Sequence, residues 1–309
     1  MKFQKKGRIF GADTFNLPWF KKNAMVPTPY RLNDDTIRLY VTMCDAKNVG
    51  RLGYVDVLAE NPSKILGFSK EPILDVGEAG TFDDNGVVTS SIYQENGKLY
   101  LYYSGYELCV KIPYRIFCGV AVSEDGGQTF KRMRKASLLL PIDTELYNRC
   151  QPYILKVKGG YRVFYLGDVG NMWRLAPDGH KVPMYTMKSL FAKDLLDWPL
   201  QEGVVTMPFI KENESGMTVP SIWEDSGMYK MIYSLRHVDI GYRIRYSESK
   251  DGIHFERKDD ELQLIGQNLP WDSEMQCFAR VYQDKNGLKL FYSGNHFGIG
   301  GVGWAELIP

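Results

Sequence analysis

Hydrophobic and polar residues alternate along most of the chain in short runs, and glycine or another turn residue separates one run from the next. An alternating run places successive side chains on opposite faces, as in a half-buried β-strand. Five runs share one arrangement, in which a turn residue precedes an aromatic-rich strand, as in GKLYLYYSGYE from Gly97 and GMYKMIYSLRH from Gly227. The pattern predicts an all-β protein.

The five aromatic-rich runs form a repeat. Aligning them gives one shared tyrosine position, occupied by Tyr40, Tyr103, Tyr165, Tyr233 and Tyr292. The intervals are 63, 62, 68 and 59 residues, and the residue thirteen positions before each tyrosine lies in a second strand-like run. A third strand follows each tyrosine strand, and a fourth follows most of those. Four strands in a repeat of this length are typical of a β-propeller blade.

The repeat predicts a single five-bladed β-propeller domain over residues 1–309, built from four-stranded antiparallel blades. Its inner strands are expected to begin near residues 26, 87, 150, 218 and 276. The last repeat ends after three strands, so we expect residues 6–10 to supply the fourth and close the ring, which removes exposed strand edges. In the turns at residues 123–130 and 249–255, an aspartate is expected to bind backbone amides of its own turn.

The composition argues against several classes of function. With 38 Lys+Arg against 37 Asp+Glu the net charge is +1, which gives no overall attraction to nucleic acid or an anionic membrane. No apolar run approaches the ~18 residues of a membrane-spanning helix. The five cysteines are odd in number and lack CxxC spacing, so we predict reduced thiols, a cytoplasmic location, and neither a metal nor another cofactor.

Carboxylates recur just ahead of the predicted inner strands, in loops that open on one face of a propeller. They are Asp83, Asp84, Glu145, Glu214, Asp272 and Glu274. Cleavage of a glycosidic bond uses one protonated acid together with a base or nucleophile. For any single carboxylate an ion pair with a nearby arginine is the commoner role, but as a set they predict a ligand site.

Other residues of the same face have the properties of a sugar-binding surface. Aromatic rings stack on the carbons of a sugar ring, and polar groups bind its hydroxyls. The loops that carry them also contain Tyr106 and His180. The predicted substrate-binding residues are Asp83, Tyr114, Arg149, Trp173, Arg236, His237, Arg243, Trp271, Asn295 and His296.

Several segments, among them FDDNGVVTSS, LYYSGYE, PYRIFCGVAVSEDGGQTF, YRIRYSESKDGIHFER and WDSEMQCFARV, carry a family resemblance. They resemble the five-bladed glycosidase-type propellers of the arabinanase, levansucrase and invertase superfamily, and within it a branch found with bacterial surface-polysaccharide biosynthesis genes. The resemblance spans nearly the whole chain. It implies a glycosidase-like enzyme of bacterial glycan or polysaccharide metabolism, with Asp84 as a base or pKa-setting acid and Glu214 as the general acid.

The first blade departs from the pattern of glycoside hydrolase families 43 and 32. Lys21, Lys22, Asn23 and Ala24 stand where that pattern has an aspartate. Asp272 or Glu274 of the fifth blade, which adjoins the first in a closed ring, is one replacement.

Two alternatives stay open. A phosphate or nucleotide-sugar takes the place of the missing carboxylate in a glycoside phosphorylase or sugar transferase, with Arg51, Arg149, Arg236 and Arg243 as candidate anion-binding residues. Otherwise the protein is a non-catalytic carbohydrate-binding propeller. The expected partner is a carbohydrate or sugar-nucleotide, and neither a nucleic acid nor a membrane.

Overall fold

The computed structural model describes residues 1–285 and 287–308, with backbone only at residues 171 and 172. The chain begins with β1 (Lys2–Phe10). The first blade contains β2 (Ala24–Arg31), β3 (Thr36–Cys44), β4 (Gly50–Leu58) and β5 (Ile65–Phe68). The second contains β6 (Val87–Glu95), β7 (Lys98–Leu108), β8 (Tyr114–Ser123) and β9 (Lys131–Arg132).

The third blade contains β10 (Asn148–Val157), β11 (Gly160–Leu175), β12 (Lys181–Ala192) and β13 (Val204–Val205). The fourth contains β14 (Glu214–Asp225), β15 (Met228–His237), β16 (Gly241–Ser249) and β17 (Glu256–Arg257). Then follow β18 (Gln263–Ile265) and, in the fifth blade, β19 (Cys277–Asp284), β20 (Gly287–Ser293), the single-turn helix α1 (Asn295–Gly298) and β21 (Val302–Ile308).

Within each blade, strands that are consecutive in the chain pair antiparallel, which confirms the predicted all-β propeller with four-stranded blades. Short parallel contacts join neighbouring blades, such as β8 with β10 and β12 with β14. Strand β1 pairs antiparallel with β21, from Lys2 opposite Ile308 to Phe10 opposite Val302. The N-terminal strand therefore completes the fifth blade as predicted, and it begins earlier than the predicted residues 6–10.

The repeated tyrosines are fully buried in all five blades. A buried hydroxyl needs a hydrogen-bond partner. In four blades the partner is a carboxylate: the pairs are Tyr103–Asp83 at 3.0 Å, Tyr165–Glu145 at 3.0 Å, Tyr233–Asp259 at 2.7 Å and Tyr292–Asp272 at 2.9 Å. In the first blade Tyr40 donates to the carbonyl of Gly127. The repeated tyrosine thus makes a polar contact inside four blades, and in the first blade it reaches the β8–β9 turn of the second.

Each inner strand contains a β-bulge next to the position that lies thirteen residues before the repeated tyrosine in the sequence. In four blades the residue at the bulge has a positive φ between 51° and 55°, a conformation that non-glycine residues rarely adopt. These residues are Val26, Gln151, Val219 and Phe278. A bulge changes the direction of the side chains around it. All four of these residues border a cavity at the centre of the propeller.

The two predicted aspartate turns are present. Asp125 accepts hydrogen bonds from the backbone N–H groups of Gln128 and Thr129, and Asp251 accepts from those of Ile253 and His254. The five cysteines are free thiols. Among the helices described, none is long and apolar enough to cross a membrane.

Candidate functional site

A cavity of about 90 Å³ lies on the propeller axis, since the inner strands of all five blades contribute to its wall. We call it the axial cavity. Its aromatic lining residues are Tyr106, Tyr114, Tyr185, Tyr242 and Phe278, and its polar ones are Ser104, Asn148, Gln151, Thr218 and Arg236. Within the described part of the chain, no aspartate or glutamate lines this cavity.

Arg236 is the only charged side chain described in the axial cavity. Tyr114 and Tyr185 line the same cavity, and the guanidinium of Arg236 lies 5.7 Å from the ring centre of Tyr242. Burial raises the pKa of Tyr114 to about 12, and Arg236 opposes that rise. Among the described residues Arg236 makes no ion pair, so its positive charge is not neutralised by the protein.

A second, wider cavity of about 570 Å³ adjoins the first, because Arg236 lines both. We call it the mouth cleft. Its ionisable lining residues are His180, Arg236, His237, Asp239, Arg243, Glu274 and His296. They come from the third, fourth and fifth blades. Although three histidines line the cleft, no metal-binding cluster occurs in the parts of the chain that are described.

Loop contacts between the first and fifth blades position one side of the cleft. The side-chain amide of Asn23 donates to the carbonyls of His296 and Phe297, at 3.0 and 3.1 Å. Asn295 accepts hydrogen bonds from the backbone N–H groups of Glu274 and Met275, both at 2.8 Å. Asn295, a predicted substrate-binding residue, therefore holds the loop that carries Glu274.

The structure places most of the predicted carboxylates inside blades. Asp83 is buried and bonded to Tyr103 and Arg132. Asp272 is buried and bonded to Tyr292 and Lys5, the latter at 2.8 Å. Neither lines the axial cavity or the mouth cleft.

Glu214, the predicted general acid, is also buried. Arg257 binds both of its oxygens, at 2.7 and 2.8 Å, and the backbone N–H of Ile210 donates to one of them. Burial by itself raises the pKa of Glu214, but these hydrogen bonds outweigh it and the pKa lies below its usual value. A general acid needs the opposite shift. The catalytic roles of Glu214 and Asp272 stay predictions that these contacts do not favour.

Asp84 and Glu274 are less enclosed. Asp84 accepts a hydrogen bond from the backbone N–H of Gly80 at 2.8 Å, outside the two cavities. Glu274 lines the mouth cleft and lies 3.3 Å from His296. Of the four predicted catalytic carboxylates, Glu274 alone borders the cleft.

The predicted substrate-binding residues divide into two groups. Five of them border a cavity: Tyr114, Arg236, His237, Arg243 and His296. Trp173 packs behind Tyr114, with ring centres 5.7 Å apart. Arg149 is fully buried against Glu145, and Trp271 stacks on Tyr292. These last two side chains support the blades rather than the cavities.

Sequence reasoning missed Tyr185, Tyr242 and the ring of bulge residues. The signal for the bulge residues was present, because they stand fourteen positions before each repeated tyrosine. It also missed Asp168, which is buried beside Asn148 and accepts a hydrogen bond from the backbone N–H of Tyr147 at 2.9 Å. Burial raises the pKa of Asp168 to about 6. No sequence pattern marks this carboxyl group as different from its neighbours.

Fold and site define a class. The structure is similar to a glycoside hydrolase with a TM-score of 0.69 and 16% identity, over 99% of this chain and 91% of that one. It is also similar to a thermostable family-43 glycoside hydrolase, with a TM-score of 0.66 and 16% identity over 94% and 90% of the two chains. For the GH43_1 enzyme from Xanthomonas citri complexed with xylose, the TM-score is 0.62 and the identity 16%, over 93% of this chain and 88% of that one. The chain thus has the five-bladed fold of these hydrolases.

Sequence comparison identifies the family. The chain is 30% identical to two uncharacterised proteins of Mycobacterium tuberculosis, MT1551 and Rv1502, over 309 residues and 99% of each chain. It belongs to the family of these proteins. No protein-family model matches the sequence.

Proposed function

We propose that the protein is a glycosidase-like enzyme that binds a sugar where the axial cavity meets the mouth cleft, and that it acts in bacterial glycan or polysaccharide metabolism. The observation that carries the proposal is Arg236, which lines both cavities at that junction together with Tyr114 and Tyr185 of the axial cavity. The aromatic rings supply faces for sugar carbons, and the arginine supplies donors for sugar oxygens. The glycoside hydrolase fold and the bacterial relatives support it. The cytoplasmic location stays a prediction.

Two carboxyl groups have properties that suit acid–base chemistry here. Asp168 has a pKa of about 6, which keeps part of its population protonated near neutral pH; it is buried behind the cavity wall next to Asn148 and lines neither cavity itself. Glu274 borders the mouth cleft. We assign Asp168 as the candidate acid and Glu274 as the candidate base. Asp84, Glu214 and Asp272 remain the competing predictions.

One observation favours a second function, a carbohydrate-binding propeller without catalysis. The described wall of the axial cavity holds no carboxylate, and Glu214 and Asp272 already bind cations of their own blades. Cleavage of a glycosidic bond normally needs a carboxyl pair roughly 5 to 10 Å apart across the sugar. The second function needs only the tyrosines and Arg236.

A panel of activated aryl glycosides, with sugar binding measured by calorimetry, tests both functions. We expect Arg236→Met and Tyr114→Ala to weaken sugar binding at least tenfold, and Asp168→Asn and Glu274→Gln to abolish turnover while binding persists. The control is Arg134→Met, which removes an exposed arginine outside both cavities. Binding without turnover by the wild type would establish the second function.

Glu214→Gln tests the remaining sequence assignment. Loss of turnover with an unchanged melting temperature would restore Glu214 as the acid. A wild-type protein that shows no turnover and no sugar binding would exclude both functions.

A further inference from the structure

The mouth cleft is lined by two arginines, Arg236 and Arg243, and by two carboxylates, Asp239 and Glu274, and the arginines are not paired with these acids. Arg236 and Arg243 both line it, and within the described residues neither makes an ion pair. Two buried arginines elsewhere pair with acids, Arg149 with Glu145 and Arg257 with Glu214, whereas the buried Arg280 donates to backbone carbonyls. An unpaired, partly buried cation loses hydration without compensation. Two arginines of the cleft therefore remain available to pair with an external anion.

Arg243 illustrates this cost. It follows Gly241 and Tyr242 on β16, and its side chain donates hydrogen bonds to the backbone carbonyls of Ile240 and Tyr242. Burial, together with the like charge of Arg245, lowers the pKa of Arg243. An anion in the cleft would oppose both effects, because it replaces lost hydration and offsets the repulsion between the two arginines.

His237 supplies a second, independent observation. Its side chain lines the cleft and is only 6% exposed, yet neither ring nitrogen has a hydrogen-bond partner. Burial lowers its pKa, with Arg245 adding to the effect, so the ring is neutral near pH 7 and presents one N–H donor. Buried polar groups without partners are rare in folded proteins. A ligand that accepts hydrogen bonds would satisfy this one.

The two acids of the cleft are already engaged. Glu274 lies 3.3 Å from the Nε2 atom of His296, and Asp239 accepts a hydrogen bond from Asn213 at 3.2 Å. Within the described residues, Arg236 and Arg243 then have no ion-pair partner, and His237 has no hydrogen-bond partner. Together these three side chains supply several N–H donors. A phosphoryl group has several acceptor oxygens and matches them better than a single sugar hydroxyl does.

We propose that the mouth cleft binds a phosphoryl group through Arg236, Arg243 and His237. The inference deepens the proposed function and rests on it: the sugar occupies the junction with the axial cavity, and its phosphorylated end extends into the cleft. The substrate class is then a sugar phosphate or nucleotide-sugar, or a neutral glycan together with free phosphate. Arg51 and Arg149, the other anion-binding candidates, are paired with acids of their own blades.

Calorimetry with four probes tests this assignment: inorganic phosphate, glucose 1-phosphate, uridine diphosphate-glucose and neutral methyl glucoside. We expect at least one phosphorylated probe to bind ten times more tightly than the neutral glucoside. Arg243→Met should weaken that binding at least tenfold and leave methyl glucoside binding unchanged. Arg134→Met, the matched exposed arginine, should change neither. Inorganic phosphate that binds as tightly as the sugar phosphates identifies free phosphate as the occupant, and tighter sugar phosphates identify a phosphorylated sugar.

Phosphorylated probes that bind no more tightly than the glucoside, or equal effects of Arg243→Met and Arg134→Met, would overturn the assignment. Histidine ring ¹⁵N shifts in the wild type, recorded during phosphate titration, provide a readout that does not depend on the stability of a variant. A shift of the His237 nitrogens is expected, and its absence at saturating phosphate contradicts the site. Phosphate binding without any sugar binding or turnover would instead reject the proposed function and keep this site.

Discussion

At the scale of single residues, the acids near the inner strands have two different environments. Glu214 accepts hydrogen bonds from Arg257 and from the backbone N–H of Ile210, which lower its pKa. Asp168 is buried without an ion-pair partner among the described residues, and Glu145 nearby adds repulsion. Similar side chains therefore differ in protonation because their partners differ.

Asp168→Asn should change how stability depends on pH. The pKa of Asp168 in the folded state is about 6, above its ordinary 3.8, so the folded protein holds this proton more tightly than the unfolded chain does. The wild type then loses stability as pH rises from about 4 through 6, by an amount on the order of 3 kcal/mol at most. We expect Asp168→Asn to raise the midpoint of urea denaturation at pH 7.5 but not at pH 4.5. Equal shifts at both pH values would contradict the raised pKa.

At the scale of elements, the sequence predicted strands and turns well because each depends on local chemistry. The aspartates of the two turns bind amides two to four residues away, within reach of a local pattern. The partners of Glu214 and Asp83 lie 43 and 49 residues later, on outer strands. A repeat fixes where an acid stands along the chain, but not which cation reaches it. For this reason the surroundings of these carboxylates could not be predicted from the repeat.

Asp125→Ala should destabilise the second blade. The substitution removes the acceptor for the N–H groups of Gln128 and Thr129 and for the hydroxyl of Ser123. We expect a loss of about 1–2 kcal/mol in the free energy of unfolding, because the turn's amides lose their fixed partner. Glu124→Ala is the control, since its ion pair with Lys98 is exposed and should contribute little. A loss no greater than that of the control would show that the turn forms without this aspartate.

At the scale of the whole molecule, the ring brings together residues that are far apart in sequence. Asn23 of the first blade holds the turn at His296 of the fifth, which places that histidine at the mouth cleft. Arg236 meets Tyr114 across more than a hundred residues. The sequence predicted that these loops share one face, but their cavities depend on blade rotation and on the bulges of the inner strands. Those features arise only when all five blades pack.

Closure by β1 should be required for this arrangement. Deleting residues 1–10 exposes the paired edge of β21 and removes Phe3, Ile9 and Phe10, all buried, from the core. It also leaves the buried Asp272 without its cation Lys5. Each lost core side chain contributes roughly 2–4 kcal/mol, so together they exceed the usual stability of a domain. We expect the deletion variant to aggregate or to lose its cooperative thermal transition in circular dichroism. The control is Lys6→Ala, which removes only a half-exposed ion pair with Glu306 and should melt like the wild type. A deletion variant that also melts like the wild type would show that the ring is stable without β1.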